Sequence, residues 1–206
     1  MLFRSDHDLC PRCNASDRER LVYLYLVNKT KIFDDKVRLL HVAPEEKLGK
    51  VLSDKVNIDY LSADLNMAWV MVLMDISHIA YKDAAFGVII CNHVLEHIPD
   101  DQQAMSELYR VLTPGGWAIL QVPISLMLSR TYEDSAIVTP EERERAFGQG
   151  DHVRLYARDY KARLEQVGFW VEEFKWTESP REFGGPENRF GLLRDETVYI
   201  ARKPQD

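Results

Sequence analysis

The sequence predicts an α/β protein of three layers, a mostly parallel seven-stranded sheet with helices on both faces. Three observations predict it. Compact apolar runs alternate with amphipathic helical stretches, as in strand–helix–strand units. One run, "FGVIICN" (86–92), is apolar and β-branched without alternation, as a strand buried on both faces must be. Finally, Asp64, Asp75 and Asn92–His93 stand at the ends of such runs, where sheets of this class bind ligands.

Taken in order, "RERLVYLYLVNK" (18–29) reads as an amphipathic helix and "VRLLHVA" (37–43) as the first strand. "PEEKLGKVLSD" follows as a helix, with Pro44 suited to the first helical position and Glu45 and Glu46 to the first turn. "VNIDYLSADL" (56–65) is a second strand ending at Asp64, and "WVMVLMDI" (69–76) contains a third ending near Asp75. A helix over 101–112 shows an apolar stripe of Ala104, Met105, Leu108, Val111 and Leu112, and Asp100 with Gln103 resembles a capping box. "TPGG" stops it, and "WAILQVP" (117–123) is the fifth strand. "RDYKARLEQVG" is a helix closed by Gly168, "FWVEEFKW" (169–176) alternates like a half-exposed strand, and "ETVYIAR" (196–202) closes the sheet.

Composition narrows the function. At 206 residues the chain suits one domain, drawn here as 31–206 with an N-terminal segment, 1–30. A net charge of −7 argues against general binding to a phosphate backbone, so nucleic acid is not an expected partner. No apolar run approaches the roughly 20 residues that span a bilayer, and the first residues lack a signal-peptide core, so a cytoplasmic protein without membrane partners is expected. Three cysteines are too few for a disulfide scaffold. Cys91, within a buried strand, is expected to pack. "CPRC" (10–13) is half of a zinc knuckle. A tetrahedral structural site needs four ligands, and Cys10 and Cys13 with His7 do not complete one, so a degenerate knuckle or two free thiols is expected.

His93-x-x-Glu96-His97 matches the inverted zinc-peptidase pattern. Such a peptidase needs a helix of several turns to hold its ligands. Pro99 resists helical geometry in the residue before it and leaves room for about one turn. The motif is therefore a loop at the ligand edge of the sheet, and no metal is expected there.

The stretch "FGVIICNHVLEHIPDDQQAMSELYRVLTPGGWAILQVP" resembles the second half of a class I S-adenosylmethionine (SAM)-dependent methyltransferase of the type-11 group, and "SADLN" and "MDISHIAYKDAAFGVI" extend the likeness upstream. The resemblance implies a Rossmann-like methyltransferase fold and SAM as cofactor. It implies Asp64, with Leu65 beside it, against the ribose hydroxyls. It implies Asp75 near the adenine amino group with Ile76 on the ring, and Asn92 and His93 beside the methionine part. The first loop departs from the family's glycine-rich pattern, because His41 replaces the acid, Ala43 the first glycine, and Glu45 and Lys47 the others. With Pro44 this "HVAPEE" form resembles a subgroup of the superfamily. Glu45 or Glu46 could meet the cofactor's ammonium group, or both could simply favour the helix N-terminus.

Residues 124–157 are inserted after the fifth strand, where this fold can cover an acceptor pocket. "TPEERER" is expected to be a short capped, solvated helix. "GQGDHVRLY" reads as a lid, with glycines flanking Asp151, His152, Arg154 and Tyr156. His152 is the leading candidate for a general base, with His93 and His97 behind it, and Arg154 and Tyr156 are candidate acceptor contacts. The expected activity is methyl transfer from SAM to an oxygen or nitrogen of a small-molecule acceptor. The alternative is a non-catalytic binding module on the same fold.

Overall fold

Ser16 starts the first helix through a reciprocal cap: its hydroxyl accepts from the Glu19 amide at 3.2 Å, and the Glu19 carboxylate accepts from the Ser16 amide at 2.8 Å. Helix α1 then runs Asp17–Lys29 and turns Leu21, Val22, Tyr25 and Leu26 inward. The computed structural model describes residues 9–205. His7 lies outside the described residues. Cys10 and Cys13 are free thiols on a tight turn closed by Asn14, and no described group joins them in a metal-ligating cluster.

After α1 come β1 (Val37–Val42), α2 (Glu46–Ser53), β2 (Ile58–Asp64), β3 (Val72–Leu73), β4 (Phe86–Asn92), α3 (Asp101–Val111) and β5 (Leu112–Gln121). A small antiparallel pair, β6 (Tyr132–Glu133) and β7 (Arg154–Leu155), brackets α4 (Pro140–Phe147). Then α5 (Tyr160–Val167), β8 (Trp170–Phe174) and β9 (Val198–Arg202) complete the chain. The seven-stranded sheet has the order β3-β2-β1-β4-β5-β9-β8, parallel except where β9 pairs antiparallel with β5 and β8.

Each face of the sheet buries its own core. Leu39, Val88, Ile90, Ile119 and Ile200 pack with α1 and α2, whereas Leu40, Ile89, Cys91, Ala118 and Leu120 pack with α3 and α5. The side-chain period of two along each strand produces this division. Because α1 shares a core with the central strands, a boundary at residue 30 does not separate two packed units. Cys91 is a core residue, as its strand implies, and burial pushes its thiol well up.

Several local expectations are corrected. Pro44 is not the first helical residue, since Glu45 is the N-cap and α2 begins at Glu46. The third strand shrinks to two residues. The Asp64 carboxylate accepts from the Asn66 and Met67 amides, and the Ser62 hydroxyl accepts from the Met71 amide, so the chain turns before it can pair. The Asp100 cap is one-sided: it accepts from the Gln103 amide, but the Gln103 side chain donates to the Ser77 carbonyl instead. "TPGG" lies inside β5 and not in a separate turn. Gly116 is needed there, because a Cβ would stand 2.8 Å from the Gly87 carbonyl oxygen. The Lys203 ammonium, from beyond β9, donates to the Tyr109 and Leu112 carbonyls at the end of α3.

The segment after β5 is fastened more tightly than a free lid. Arg154 is buried and donates to the carbonyls of Leu95, Ile98 and Pro99, in and just past the single 3₁₀ turn Leu95–His97. Its Nε meets Glu133 at 3.0 Å. Tyr156 Oη donates to Asp101 at 2.6 Å, and Arg163 holds the same carboxylate at 2.7 and 2.8 Å. Arg154 and Tyr156 are therefore not exposed acceptor contacts; their polar groups hold the fold. Arg154→Met should destabilise the protein by about 3 kcal/mol, the scale for breaking a buried charge network. Denaturant unfolding followed by tryptophan fluorescence measures it, and a loss below about 0.5 kcal/mol would show the network to be dispensable.

Candidate cofactor and acceptor site at the switch point

Strand β1 lies between β2 and β4, so successive crossovers leave it in opposite directions and open a crevice beyond the carboxyl ends of β1 and β4. The residues just past those ends, Ala43 and His93, both take left-handed backbone with φ of 45° and 56°. Left-handed backbone costs a non-glycine residue about 1–2 kcal/mol. Ladder-like bonds hold both in place, from the Ala43 amide to the Ala63 carbonyl and from the His93 amide to the Gln121 carbonyl, each 2.8 Å.

On the α1–α2 side, His41 is fully buried and bridges two partners. Its Nδ1 is 3.0 Å from Tyr60 Oη and its Nε2 2.9 Å from Glu45. Asn92 Nδ2 donates to the other Glu45 oxygen at 3.0 Å. Burial pushes the Glu45 carboxyl up, but the hydrogen bond and charge of His41, with Asn92, outweigh it and hold Glu45 below the usual carboxylate range. Glu45 thus does not cap α2 with its own side chain. Glu19 of α1 does so from outside, accepting from the Lys47 amide at 3.2 Å and, more weakly, from the Leu48 amide at 3.4 Å. The loop that replaces glycines is therefore ordered and acidic, suited to a cationic group.

The other expected cofactor contacts lie along the same edge. Asp64 ends β2 half-buried, with one carboxylate oxygen engaged in its own turn and Leu65 exposed beside it. Asp75 lies in the loop past β3, exposed, and accepts from the Ser77 amide. Ile76 points inward and is buried. The loop is fixed on α3, where Glu107 accepts from the Ile79 amide and Arg110 donates to the Ile79 and Tyr81 carbonyls.

On the α3–α5 side, the turn after β4 meets the segment after β5. The Val153 amide donates to the Glu96 carbonyl, and the His97 and His152 rings stand edge to face with centroids 4.8 Å apart. Glu96, His97 and His152 each offer a ligand atom within 4.8 Å of the others. His93 Nδ1 is 3.4 Å from Glu96 Oε1. Burial, more than the proximity of His97, pushes the His152 pKa down, against an upward pull from Glu96. His152 is thus brought to the motif at 93–97, which chain position alone does not reveal.

Buried polar atoms without a partner are costly and rare. Among the described residues they concentrate at this edge: Asn92 Oδ1, His93 Nε2, Glu96 Oε2, Gln121 Oε1 and His152 Nδ1. Gln121 and Glu196, paired at 3.0 Å, also belong to the edge, with burial raising the Glu196 carboxyl. Sequence reasoning missed both, because neither sits in a motif; Glu19 was legible only as half of a capping box. The shallow depressions near Gly115 and Gln205, and near Lys36 and Asp59, lie at the opposite, amino-terminal edge and hold none of this chemistry.

Residues 38–120, from β1 through nearly all of β5, match the family model described as a methyltransferase domain. This segment is similar to methyltransferase domains. The domain's relatives include an arsenite methyltransferase of Halobacterium salinarum, 29% identical over 136 residues that make up 64% of this chain and 33% of that protein. The chain thus spans about a third of the length of that relative. Among solved structures, the Burkholderia thailandensis 1,6-didemethyltoxoflavin-N1-methyltransferase, with 1,6-didemethyltoxoflavin and S-adenosylhomocysteine bound, superposes with a TM-score of 0.61 at 15% identity, over 92% of this chain and 78% of that one. The [4+2]-cyclase SpnF superposes equally well, with a TM-score of 0.61 at 16% identity, over 99% and 87% of the two chains. The methyltransferase fold is common to them, and it does not by itself dictate one reaction. No described helix is long and apolar enough to cross a membrane.

Glu45 links the first loop to pH. A carboxyl held below its unfolded value adds stability at neutral pH that is lost as pH falls from the ordinary glutamate value, about 4.3, through the folded one. Glu45→Gln should cost about 1–3 kcal/mol at pH 7, and the difference from wild type should shrink steadily as unfolding is measured at lower pH. A difference that stays constant down to acid pH would mean that the charge contributes nothing.

Proposed function

We propose that the protein transfers the methyl group of SAM to an oxygen or nitrogen of a small-molecule acceptor. The concentration of unpartnered buried polar atoms at the carboxyl edge of β4 and β5, inside a methyltransferase-like domain, carries this reading. In this reading Asp64 receives the ribose hydroxyls on its free oxygen, with Leu65 alongside, and Asp75 and Ile76 flank the adenine. Ala43, Pro44, Glu45, Asn92 and His93 surround the methionine part, and the Glu45 carboxylate attracts its ammonium. The bound heterocycle of the Burkholderia neighbour supports a small acceptor, and the net charge of −7 speaks against nucleic acid.

The acceptor's lone pair forms the bond to the methyl carbon while the carbon–sulfur pair returns to sulfur, leaving S-adenosylhomocysteine. A hydroxyl acceptor also loses a proton. His152 suits that step, because burial favours its neutral form and its Nδ1 is without a partner. A second reading, a binding module without turnover, draws on the altered first loop and on the cyclase neighbour. Slow conversion of SAM to S-adenosylhomocysteine by the purified protein separates the two, since a pure binding module would produce none.

Asp64→Ala should weaken SAM binding by about 1–3 kcal/mol in calorimetry on the folded variant; unchanged affinity would remove Asp64 from the ribose site. His152→Ala should leave SAM affinity nearly intact and slow transfer to a hydroxyl acceptor by about 10²–10⁴-fold. An unchanged rate would exclude His152 from the proton step.

A further inference from the structure

We propose that Glu96, His97 and His152 form a binding site for one divalent first-row transition cation on the acceptor side of the crevice. The argument starts from cost. Glu96 is 1% exposed and His152 6%, and each buries a polar atom with no partner, Oε2 and Nδ1 respectively. Burying a carboxylate oxygen unpaired costs several kcal/mol, which a cation between these groups would offset.

Geometry agrees with chemistry. The three donors lie within 4.8 Å of one another, and ligands about 2.1 Å from a common cation stand roughly 3–3.5 Å apart. A cation would draw the donors closer, and His97, the most exposed of the three, has the most room to move. His97 already has an outer partner of the kind typical of metal-binding histidines. His97 Nδ1 lies 3.3 Å from the Asp151 carbonyl and 3.4 Å from its carboxylate, which leaves Nε2 for a cation. His152 Nδ1 is buried without a partner and faces the same cluster. Glu96 Oε1 faces His93, which leaves Oε2. Two imidazoles and one carboxylate suit zinc, cobalt, manganese or iron(II) more than the all-oxygen shells of magnesium or calcium. The peptidase pattern thus fails as a triplet, yet two of its members join a histidine some 55 residues away.

The use of the cation rests on the methyl-transfer reading; its binding does not. Three protein ligands leave an open position for an acceptor oxygen. Coordination lowers the hydroxyl's pKa, so its proton passes to water before the oxygen's lone pair meets the methyl carbon. His152 then acts as a ligand, and its loss slows transfer through loss of the cation.

The test uses full-length protein stripped with a chelator and carrying Cys10→Ser and Cys13→Ser, which removes competing thiolates. Zinc alone should bind at one per chain. Cobalt alone should give visible ligand-field bands without the near-ultraviolet band of thiolate ligation. His97→Ala and Glu96→Gln should each weaken zinc by more than about 100-fold, and Asp151→Asn by about 10–100-fold, as loss of a histidine's outer partner does. His97 is partly exposed, so its variant should fold, which circular dichroism checks. Absence of zinc uptake, or unchanged uptake in folded His97→Ala, overturns the site. Titration of SAM into the same stripped protein keeps the two readings apart. SAM binding without zinc uptake sinks the cation alone; zinc uptake without SAM binding sinks methyl transfer alone.

Discussion

One guanidinium holds the segment after β5 against the turn after β4. Arg154 donates to three successive stretches of backbone around the turn after β4, at Leu95, Ile98 and Pro99, and is itself neutralised by Glu133. The Leu95 carbonyl also accepts from the Ile98 amide and, weakly, from Tyr156 Oη, and leaving a carbonyl of this loop buried and unbonded would cost about 1–3 kcal/mol. Because Arg154 sits two residues from His152, the same bonds that satisfy the turn carry His152 to Glu96 and His97. Arg154 shares this task with the Val153 amide, which donates to the Glu96 carbonyl, and with Tyr156 on Asp101.

The buried charges around Arg154 form a closed set. Asp101 is shared by Tyr156 and Arg163, and Glu133 by Arg154 and Arg163, so each carboxylate meets more than one donor. Networks of this kind are tolerated inside a protein only when nearly every member is satisfied. Within this network only Arg163 Nε lacks a partner, whereas at the neighbouring carboxyl edge Asn92, His93, Glu96, Gln121 and His152 each leave an atom unpartnered. A folded chain that leaves one buried network almost complete and the next with an orphan atom on each member indicates where a ligand belongs.

The first loop shows how an unusual sequence can fill a familiar role. Glycines allow close approach of backbone; here Ala43 accepts left-handed geometry, and Glu45 turns back to His41 and Asn92. Glu19, from helix α1, satisfies the helix start that Glu45 abandons. The edge that results is negative where a sulfonium cofactor is positive, which favours that cofactor over a pyrophosphate-bearing dinucleotide.

Much of this was determined by sequence alone. Apolar runs with a period of two, apolar stripes with a period near 3.6, and the helix ends at Asp100 and Gly168 specify strands, helices and their order, because these signals act within a few residues. Asp64 and Asn92 at strand ends were legible for the same reason. Tertiary structure alone decided which distant groups meet. Chain position brought Arg154 and Tyr156 forward as acceptor contacts, and packing made them internal fasteners. The third strand starts only at Val72, because the Ser62 hydroxyl took the Met71 amide. Glu19 reached α2, Gln121 found Glu196, and His152 joined Glu96 and His97 across some 55 residues of chain. Such meetings depend on how crossovers, loops and buried charges settle together in three dimensions, which no local pattern encodes.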